Sequence, residues 1–173
     1  MARPNDHRDS ECEQQASLRD LAFDLLQRAF QLQQQSEFEL AAELFRKSIE
    51  VHPTAEAHTF LGWTYHAQGR IQDAIAECRK AIEIDPDFGN PYNDTGAYLI
   101  ELGRPQDAIP WLERATTCTR YYTFHYPWYN LGRAYTALEL FSRACECFQN
   151  ALDIEPGYAL AQEALERVRR LIQ

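Results

Sequence analysis

The chain has 173 residues, of which 45% are hydrophobic, enough to build a continuous core within one compact domain. Its 26 acidic and 17 basic side chains give a formal net charge of −9, which excludes a general nucleic-acid binder, since such a protein needs a basic surface. No apolar run is long enough to cross a bilayer, the N-terminus lacks the hydrophobic middle of a signal peptide, and the five cysteines have no secreted-type spacing. We therefore predict a cytoplasmic protein without membrane insertion.

The first segment, residues 1–16, is charged and lacks periodic apolar positions, so it is predicted to be a disordered tail. Ser17, followed three residues later by Asp20, is typical of a helix N-cap and its partner. We therefore expect the first helix to start near residue 17 and a single domain to occupy residues 17–173.

From residue 22 onwards the chain repeats itself. Glycine recurs as Gly62, Gly96 and Gly132, at intervals of 34 and 36 residues, and an alanine, a larger apolar residue and a proline recur behind it. Several positions that recur together predict an array of helical hairpins. The recurring alanines are Ala41, Ala74, Ala108 and Ala144.

Each repeat contains two amphipathic stretches of helical spacing, separated by a short breaker such as Gln68-Gly69-Arg70 or Leu102-Gly103-Arg104. Pro86 and Pro156 are expected to end the second helix of their repeats. Gly62 and Ala74 are expected to face each other, so that the two helices of a hairpin approach closely. The predicted repeats are 22–54, 55–88, 89–124 and 125–158.

The last segment, residues 159–173, is predicted to be a capping helix. Repeat arrays need such a helix because the terminal hairpin otherwise exposes an apolar face. The residues expected to cover that hairpin are Leu160, Ala164, Leu165, Val168 and Leu171.

This spacing resembles that of the tetratricopeptide repeat (TPR) family over residues 22–158. In the last repeat the residues that match the family pattern are Trp128, Leu131, Gly132, Tyr135, Ala144, Phe148 and Pro156. The segment 88–113 is also similar to stand-alone bacterial members of the family. The resemblance implies an all-α fold, a right-handed superhelix of four helical hairpins plus a capping helix, whose concave groove is lined by the first helix of each repeat.

Helical periodicity selects the residues that would line such a groove. Amides can bond both groups of an extended backbone, and tyrosine and tryptophan supply rigid contact area. These properties predict an adaptor or scaffold that binds a peptide segment of a partner protein. The alternative is that the rings only pack between helices and the amides only cap or hydrate. The candidate groove residues are Phe60, Trp63, His66, Asn90, Asn93, Asp94, Tyr126, Tyr129, Asn130 and Arg133.

Some members of the family hold the C-terminal carboxylate of heat-shock chaperones with lysine, arginine and asparagine side chains. Here Leu26 and Phe30 stand at the matching positions of the first repeat, and Asp94 would repel a carboxylate. We therefore expect no clamp for a chaperone C-terminus.

The segment 120–129 is unusually aromatic. It is interpreted either as a plug between the third and fourth hairpins or as the rim of a binding site, and the exposure of Tyr121, Tyr122 and Phe124 would discriminate between the two. The runner-up function is self-association, in which hairpin surfaces or this segment form a homo-oligomer.

An enzyme is not expected. The chain has no phosphate-binding glycine loop, no metal-spaced set of histidines and cysteines, and no nucleophile motif, so no cofactor and no metal are predicted. The histidines are interpreted as surface or packing residues. They are His7, His52, His58, His66 and His125.

Overall fold

The computed structural model describes the backbone of residues 6–172 and the side chains of residues 13–172. Within that part of the chain the fold is all-α, as predicted, with nine helices and no strand beyond an isolated bridge between Phe88 and Arg120. In chain order the helices are α1 (Asp6–Gln34), α2 (Phe38–Val51), α3 (Ala55–Ala67), α4 (Ile71–Ile84), α5 (Gly89–Glu101), α6 (Pro105–Ala115), α7 (His125–Ala137), α8 (Phe141–Ile154) and α9 (Ala159–Ile172).

The helices form two compact units, divided between Ile84 and Asp85. In the N-terminal unit α1 pairs with α2 and α3 with α4, and α2 also packs against α3. In the C-terminal unit α5 pairs with α6 and α7 with α8, α6 packs against α7, and α9 packs against α8. The four predicted hairpins and the predicted capping helix are therefore present, whereas the single domain predicted over 17–173 is divided into two units.

Each hairpin turns through one residue with a left-handed backbone. In the second and third hairpins this residue is glycine, Gly69 with φ of 76° and Gly103 with φ of 72°, and glycine enters that region without a Cβ clash. In the first and fourth hairpins the same place is taken by Ser36 with φ of 63° and Glu139 with φ of 59°. The predicted breakers are confirmed, and two of the four turns carry a residue for which this conformation is costly.

Small residues hold the helices of each hairpin close together. A Cβ on Gly62 would lie 3.2 Å from the carbonyl oxygen of Ala74, which confirms that the two residues face each other. The contacts are tighter in the C-terminal unit, where a Cβ on Gly96 would lie 2.4 Å from Cγ of Leu112 and one on Gly132 would lie 2.4 Å from Cε1 of Phe148. Gly96 and Gly132 therefore make room for a large side chain of the facing helix, and Gly62 makes room for the backbone of α4.

The ends of the helices are predicted correctly at the prolines and wrongly at the N-terminus. α4 and α8 end two residues before Pro86 and Pro156. α1, however, begins at Asp6, so the tail predicted for 1–16 is wrong for residues 6–16, and residues 1–5 lie outside the described part. Ser17 is inside α1 and is not its N-cap. The reason is that residues 6–34 contain no glycine or proline and are rich in good helix formers. The helix therefore extends through residues 6–16, although their sequence has no periodic apolar positions.

The capping helix is present, but two of its expected contacts are not. Ala164, Leu165 and Val168 are buried as predicted. Leu160 and Leu171 are 52% and 59% exposed, and the prediction for them is wrong. The buried stripe begins instead at Ala161, and its spacing of i, i+3, i+4 and i+7 excludes Leu160 because that residue points away by about 100°.

The aromatic segment 120–129 is divided in its exposure. Tyr121 is buried beside Gly89, where a Cβ would lie 2.6 Å from the tyrosine Cβ, and its ring contacts that of Phe124 at 5.4 Å. Phe124 is half-buried, whereas Tyr122 is 91% exposed. The burial of Tyr121 therefore agrees with the plug interpretation, whereas the ring of Tyr122 lies in solvent.

Candidate functional site

Seven of the ten predicted groove residues lie in the C-terminal unit, on the first helices of its two hairpins. Asn90, Asn93 and Asp94 follow one face of α5, and Tyr126, Tyr129, Asn130 and Arg133 follow one face of α7. α5 and α7 contact each other, and the two faces meet. We call these seven residues the α5–α7 surface.

A row of hydrogen bonds runs across this surface from a carboxylate to a guanidinium. Asn93 Nδ2 donates to Asp94 Oδ1 at 3.2 Å, Asn130 Nδ2 donates to Asn93 Oδ1 at 2.9 Å, and Arg133 Nη1 donates to Asn130 Oδ1 at 2.9 Å. Asn93 and Asn130 are only 9% and 6% exposed. The two amides therefore bond each other across the helices, a pairing that the sequence does not predict.

The row fixes which way each amide points. Asp94 accepts from the NH2 end of Asn93, and Arg133 donates to the oxygen end of Asn130, so neither amide can rotate by 180° without losing bonds at both ends. Each NH2 group still has a second hydrogen and each oxygen a second lone pair. The surface thus keeps hydrogen-bonding capacity of defined direction.

Three tyrosine rings border the row. Tyr158, in the turn before α9, contacts Tyr129 at 5.2 Å and Tyr126 at 5.7 Å in edge-to-face arrangements, and Arg133 lies over the Tyr129 ring at 5.9 Å. Tyr126 is 41% exposed, and Tyr129 and Tyr158 are half-buried. Burial raises the pKa of the Tyr158 hydroxyl to about 12, and the neighbouring Tyr129 and Tyr126 contribute in the same direction. The three rings thus offer apolar area to a ligand, and the Tyr158 hydroxyl is neutral.

The local sequence explains how the two helices present these residues. Pro91 and Pro127 occupy the first turns of α5 and α7, where a missing N–H costs nothing, and both are fully buried. Each anchors the start of its helix, beside the site residues that precede and follow it in the chain. Tyr158 is missed by the sequence reasoning, although Phe88 has the same position two residues after a repeat's proline and could have pointed to it.

The other three predicted residues lie in the N-terminal unit. The Phe60 ring contacts Phe30 at 5.4 Å and Trp63 at 5.1 Å, and Gln33 Nε2 of α1 donates to the Phe60 carbonyl at 3.3 Å. Phe60, Trp63 and His66 are all half-buried. This face is therefore an aromatic cluster between α1 and α3, and its rings pack against one another.

The described side chains hold no group of three or more histidines, cysteines, aspartates or glutamates that could bind a metal ion. Among the helices of residues 6–172, none combines the length and the apolar composition needed to span a membrane. Cytoplasmic residence stays a prediction.

Comparison with known proteins identifies the repeat. Three family models described as Tetratricopeptide repeat match residues 26–87, 77–110 and 125–158, which together make up well over half of the chain. A curated relative, Protein SGT1 homolog from Oryza sativa subsp. japonica, is 40% identical over 78 residues, or 44% of this chain. The matched region is 21% of the length of that relative.

Solved structures share the fold at lower identity. The Pseudomonas aeruginosa PilF structure superposes with a TM-score of 0.80 and 24% identity, covering 89% of this chain and 68% of PilF. The first TPR domain of Spaghetti (RPAP3), solved with the HSP90 peptide SRMEEVD, has a TM-score of 0.64 and 20% identity, covering 68% of this chain and 92% of that domain. Identities this low establish a shared fold and leave the ligands of each protein to its own residues.

Proposed function

Because the chain belongs to the tetratricopeptide repeat family, we propose that it acts in protein–protein interaction by binding an extended peptide segment of a partner on the α5–α7 surface. The family supports the interaction role in general. The observation that carries the more specific proposal is the row from Asp94 to Arg133, in which two buried amides keep unused donors and acceptors.

Such a row suits a peptide backbone. An extended segment offers N–H and C=O groups in alternation, and an asparagine can bond one of each. Tyr126 and Tyr129 stand beside the row and are exposed enough to contact a ligand side chain. Tyrosine adds contact area while losing little rotamer entropy, which favours binding.

Charge separates this surface from a clamp for a chaperone C-terminus. RPAP3 was solved with an HSP90 peptide, whereas the surface here contains Asn90 and Asp94 on α5 and a single cation, Arg133, on α7. A terminal carboxylate would be repelled by Asp94. We therefore still predict that a peptide of this kind does not bind in the low micromolar range.

Selection of a random peptide library on the whole chain, followed by calorimetry with the selected peptides, tests the proposal. Replacing Asn93 and Asn130 together by alanine is expected to weaken binding by roughly 1–3 kcal/mol per lost bond. The matched control is Asn150→Ala on α8, a half-buried asparagine outside the surface, which is expected to leave the affinity unchanged.

Circular dichroism of each variant shows whether the helices are retained. Equal affinity in the double variant and the wild type would overturn the proposal, as would an equal loss in Asn150→Ala. Tyr129→Ala is a second test that leaves the asparagine pair intact, and it is expected to weaken the binding of the same peptides.

Self-association is the second candidate, and the exposure of Tyr122 favours it, because a ring that is 91% exposed has area to give to another molecule. Sedimentation at several protein concentrations tests it. A homo-oligomer that dissociates in Tyr122→Ser would support this candidate, and a monomer at all concentrations would remove it.

A further inference from the structure

Another candidate site lies in the N-terminal unit, away from the aromatic cluster of α1 and α3. It is a cleft of about 320 Å³ between α2, α3 and α4. Its apolar walls are Ile49, Leu61 and Tyr65. The remaining lining residues are all ionisable, and they are Arg46, Glu50, His58, Glu77 and Lys80.

The floor of this cleft is a buried imidazole–carboxylate pair, His58 and Glu77, to which the exposed Lys80 is bonded. Nδ1 of His58 lies 2.6 Å from Oε2 of Glu77, and Lys80 Nζ donates to Oε1 of the same carboxylate at 2.8 Å. The side chains of His58 and Glu77 are only 8% and 10% exposed. Burial alone would raise the pKa of Glu77, but the hydrogen bonds from His58 and Lys80 outweigh it and hold that pKa below its ordinary value.

This arrangement determines which ring nitrogen of His58 carries the hydrogen that is shared with Glu77. A charged carboxylate only accepts, so Nδ1 of His58 carries the hydrogen that points at Glu77. Among the described residues no hydrogen-bond partner reaches Nε2, the other ring nitrogen, and that atom is not sealed from solvent. The cleft therefore contains a nine-tenths buried side chain whose second nitrogen is available to a ligand.

The formal charges of the cleft lining nearly cancel. Arg46 and Lys80 balance Glu50 and Glu77, so with a neutral imidazole the lining has no net charge. An imidazolium carries a hydrogen on both ring nitrogens, so it adds one positive charge to the lining and lets Nε2 act as a donor. We propose that the cleft binds a carboxylate carried on a small apolar group, with Nε2 of His58 donating to the carboxylate, Arg46 at the rim, and Ile49, Leu61 and Tyr65 around the apolar part.

The C-terminal unit contains the equivalent cleft without these groups. It is about 330 Å³ in volume and lies between α6, α7 and α8. In the register of the repeat, Trp128 takes the place of His58, Cys147 that of Glu77 and Asn150 that of Lys80. The carboxylate–imidazole pair is thus absent there, and the chain has its own internal control.

Titration of the whole chain with benzoate, followed by the imidazole resonances of His58 in NMR spectra, tests the proposal. Benzamide has the same shape without the charge and is the matched ligand. Benzoate is expected to shift the His58 resonances in a saturable manner, and benzamide is expected to leave them nearly unchanged. Resonances of the Trp128 indole report on the second cleft and should not respond to benzoate.

Two variants separate the role of the imidazole from general electrostatics. His58→Asn keeps a donor toward Glu77 but removes Nε2. This variant should lower the affinity for benzoate about tenfold or more, as expected for the loss of a charge-assisted hydrogen bond. Arg46→Ala should weaken it by about threefold, in line with an exposed ionic contact. Lys47→Ala, on the same helix but outside the cleft and paired with Glu43, should have no effect.

The proposal is overturned if benzamide shifts His58 as much as benzoate does, or if His58→Asn binds benzoate like the wild type. Should His58→Asn fail to fold, equal affinities in the wild type and Arg46→Ala would overturn it instead. N-acetylphenylalanine and its amide distinguish the source of the carboxylate. Tighter binding of the free acid than of benzoate indicates a peptide C-terminus, and weaker binding indicates a small organic acid.

Discussion

The clefts of the two units occupy the same place in the repeat but are lined by different chemical groups. In the N-terminal unit the place is taken by His58 and Glu77, which bond each other at 2.6 Å, and in the C-terminal unit by Trp128 and Cys147. The small residues and turns that build the hairpins are similar in both units. The repeat therefore constrains the backbone and the seam between the helices, whereas the positions beside the seam can carry either apolar side chains or a buried ionic group.

The largest effect is expected from breaking the ionic group. Glu77→Gln leaves His58 and Lys80 without their carboxylate, and a broken buried pair typically costs about 3 kcal/mol of unfolding free energy at pH 7. Glu146→Gln in the second cleft, where the carboxylate is exposed, is expected to change it by less than about 0.5 kcal/mol. Urea unfolding followed by circular dichroism measures both, and equal effects would remove the distinction between the clefts.

The same variant predicts a dependence on pH. The pKa of Glu77 is lower in the folded chain than in the unfolded chain, so its stabilising contribution is complete above the unfolded value of about 4.3 and is lost as the pH falls through the lower, folded value. The wild type and Glu77→Gln should therefore differ most at neutral pH and converge in acid. A difference that stays constant down to pH 3 would contradict the charged state of Glu77.

An intermediate effect is expected at the glycines of the seam. An added Cβ in Gly132→Ala would overlap the buried Phe148 ring at 2.4 Å, and such overpacking should cost about 2 kcal/mol. In Gly62→Ala the nearest atom is 3.2 Å away, and the cost should be clearly smaller. The unfolding free energies of the two variants measure this difference between the units, and a larger loss in Gly62→Ala would contradict it.

The smallest effect is expected at the turns. Glu139 has φ of 59°, whereas the equivalent turn of the second hairpin has Gly69 with φ of 76°. Glu139→Gly should stabilise the chain by about 1 kcal/mol, because the strain of a Cβ in the left-handed region is removed. Gly69→Ala should destabilise it by a similar amount. Thermal unfolding checks the pair, and two changes of the same sign would refute the strain argument.

Much of the fold can be predicted from the sequence, since it depends on local signals. The breakers around Gly69 and Gly103 and the stops before Pro86 and Pro156 act within a few residues, and all four are confirmed. The start of α1 is missed because helix-forming residues extend a helix even where no apolar face identifies it. The exposure of Leu160 is missed because an apolar side chain does not reveal which side of the helix meets a neighbour.

The sites are harder to predict, because their contacts join residues that are far apart in the chain. Asn93 and Asn130 are 37 positions apart and His58 and Glu77 are 19 apart, and no periodicity indicates that either pair bonds. His58 is interpreted from sequence as a surface or packing residue, and its ionic partner goes unnoticed. The usable signal is a departure from the pattern, since His58 stands where the last repeat has the aromatic Trp128.

The hydrogen-bonded row from Asp94 to Arg133 has a consequence for the orientation in which a peptide would bind. Its amides are held in place before any encounter, so docking would freeze few side-chain torsions and would require little rearrangement. The donors and acceptors of the row point in one direction, from Asp94 to Arg133. A peptide bound in the opposite direction would therefore place donors against donors and acceptors against acceptors. Binding of this kind would distinguish the direction of a peptide as well as its composition.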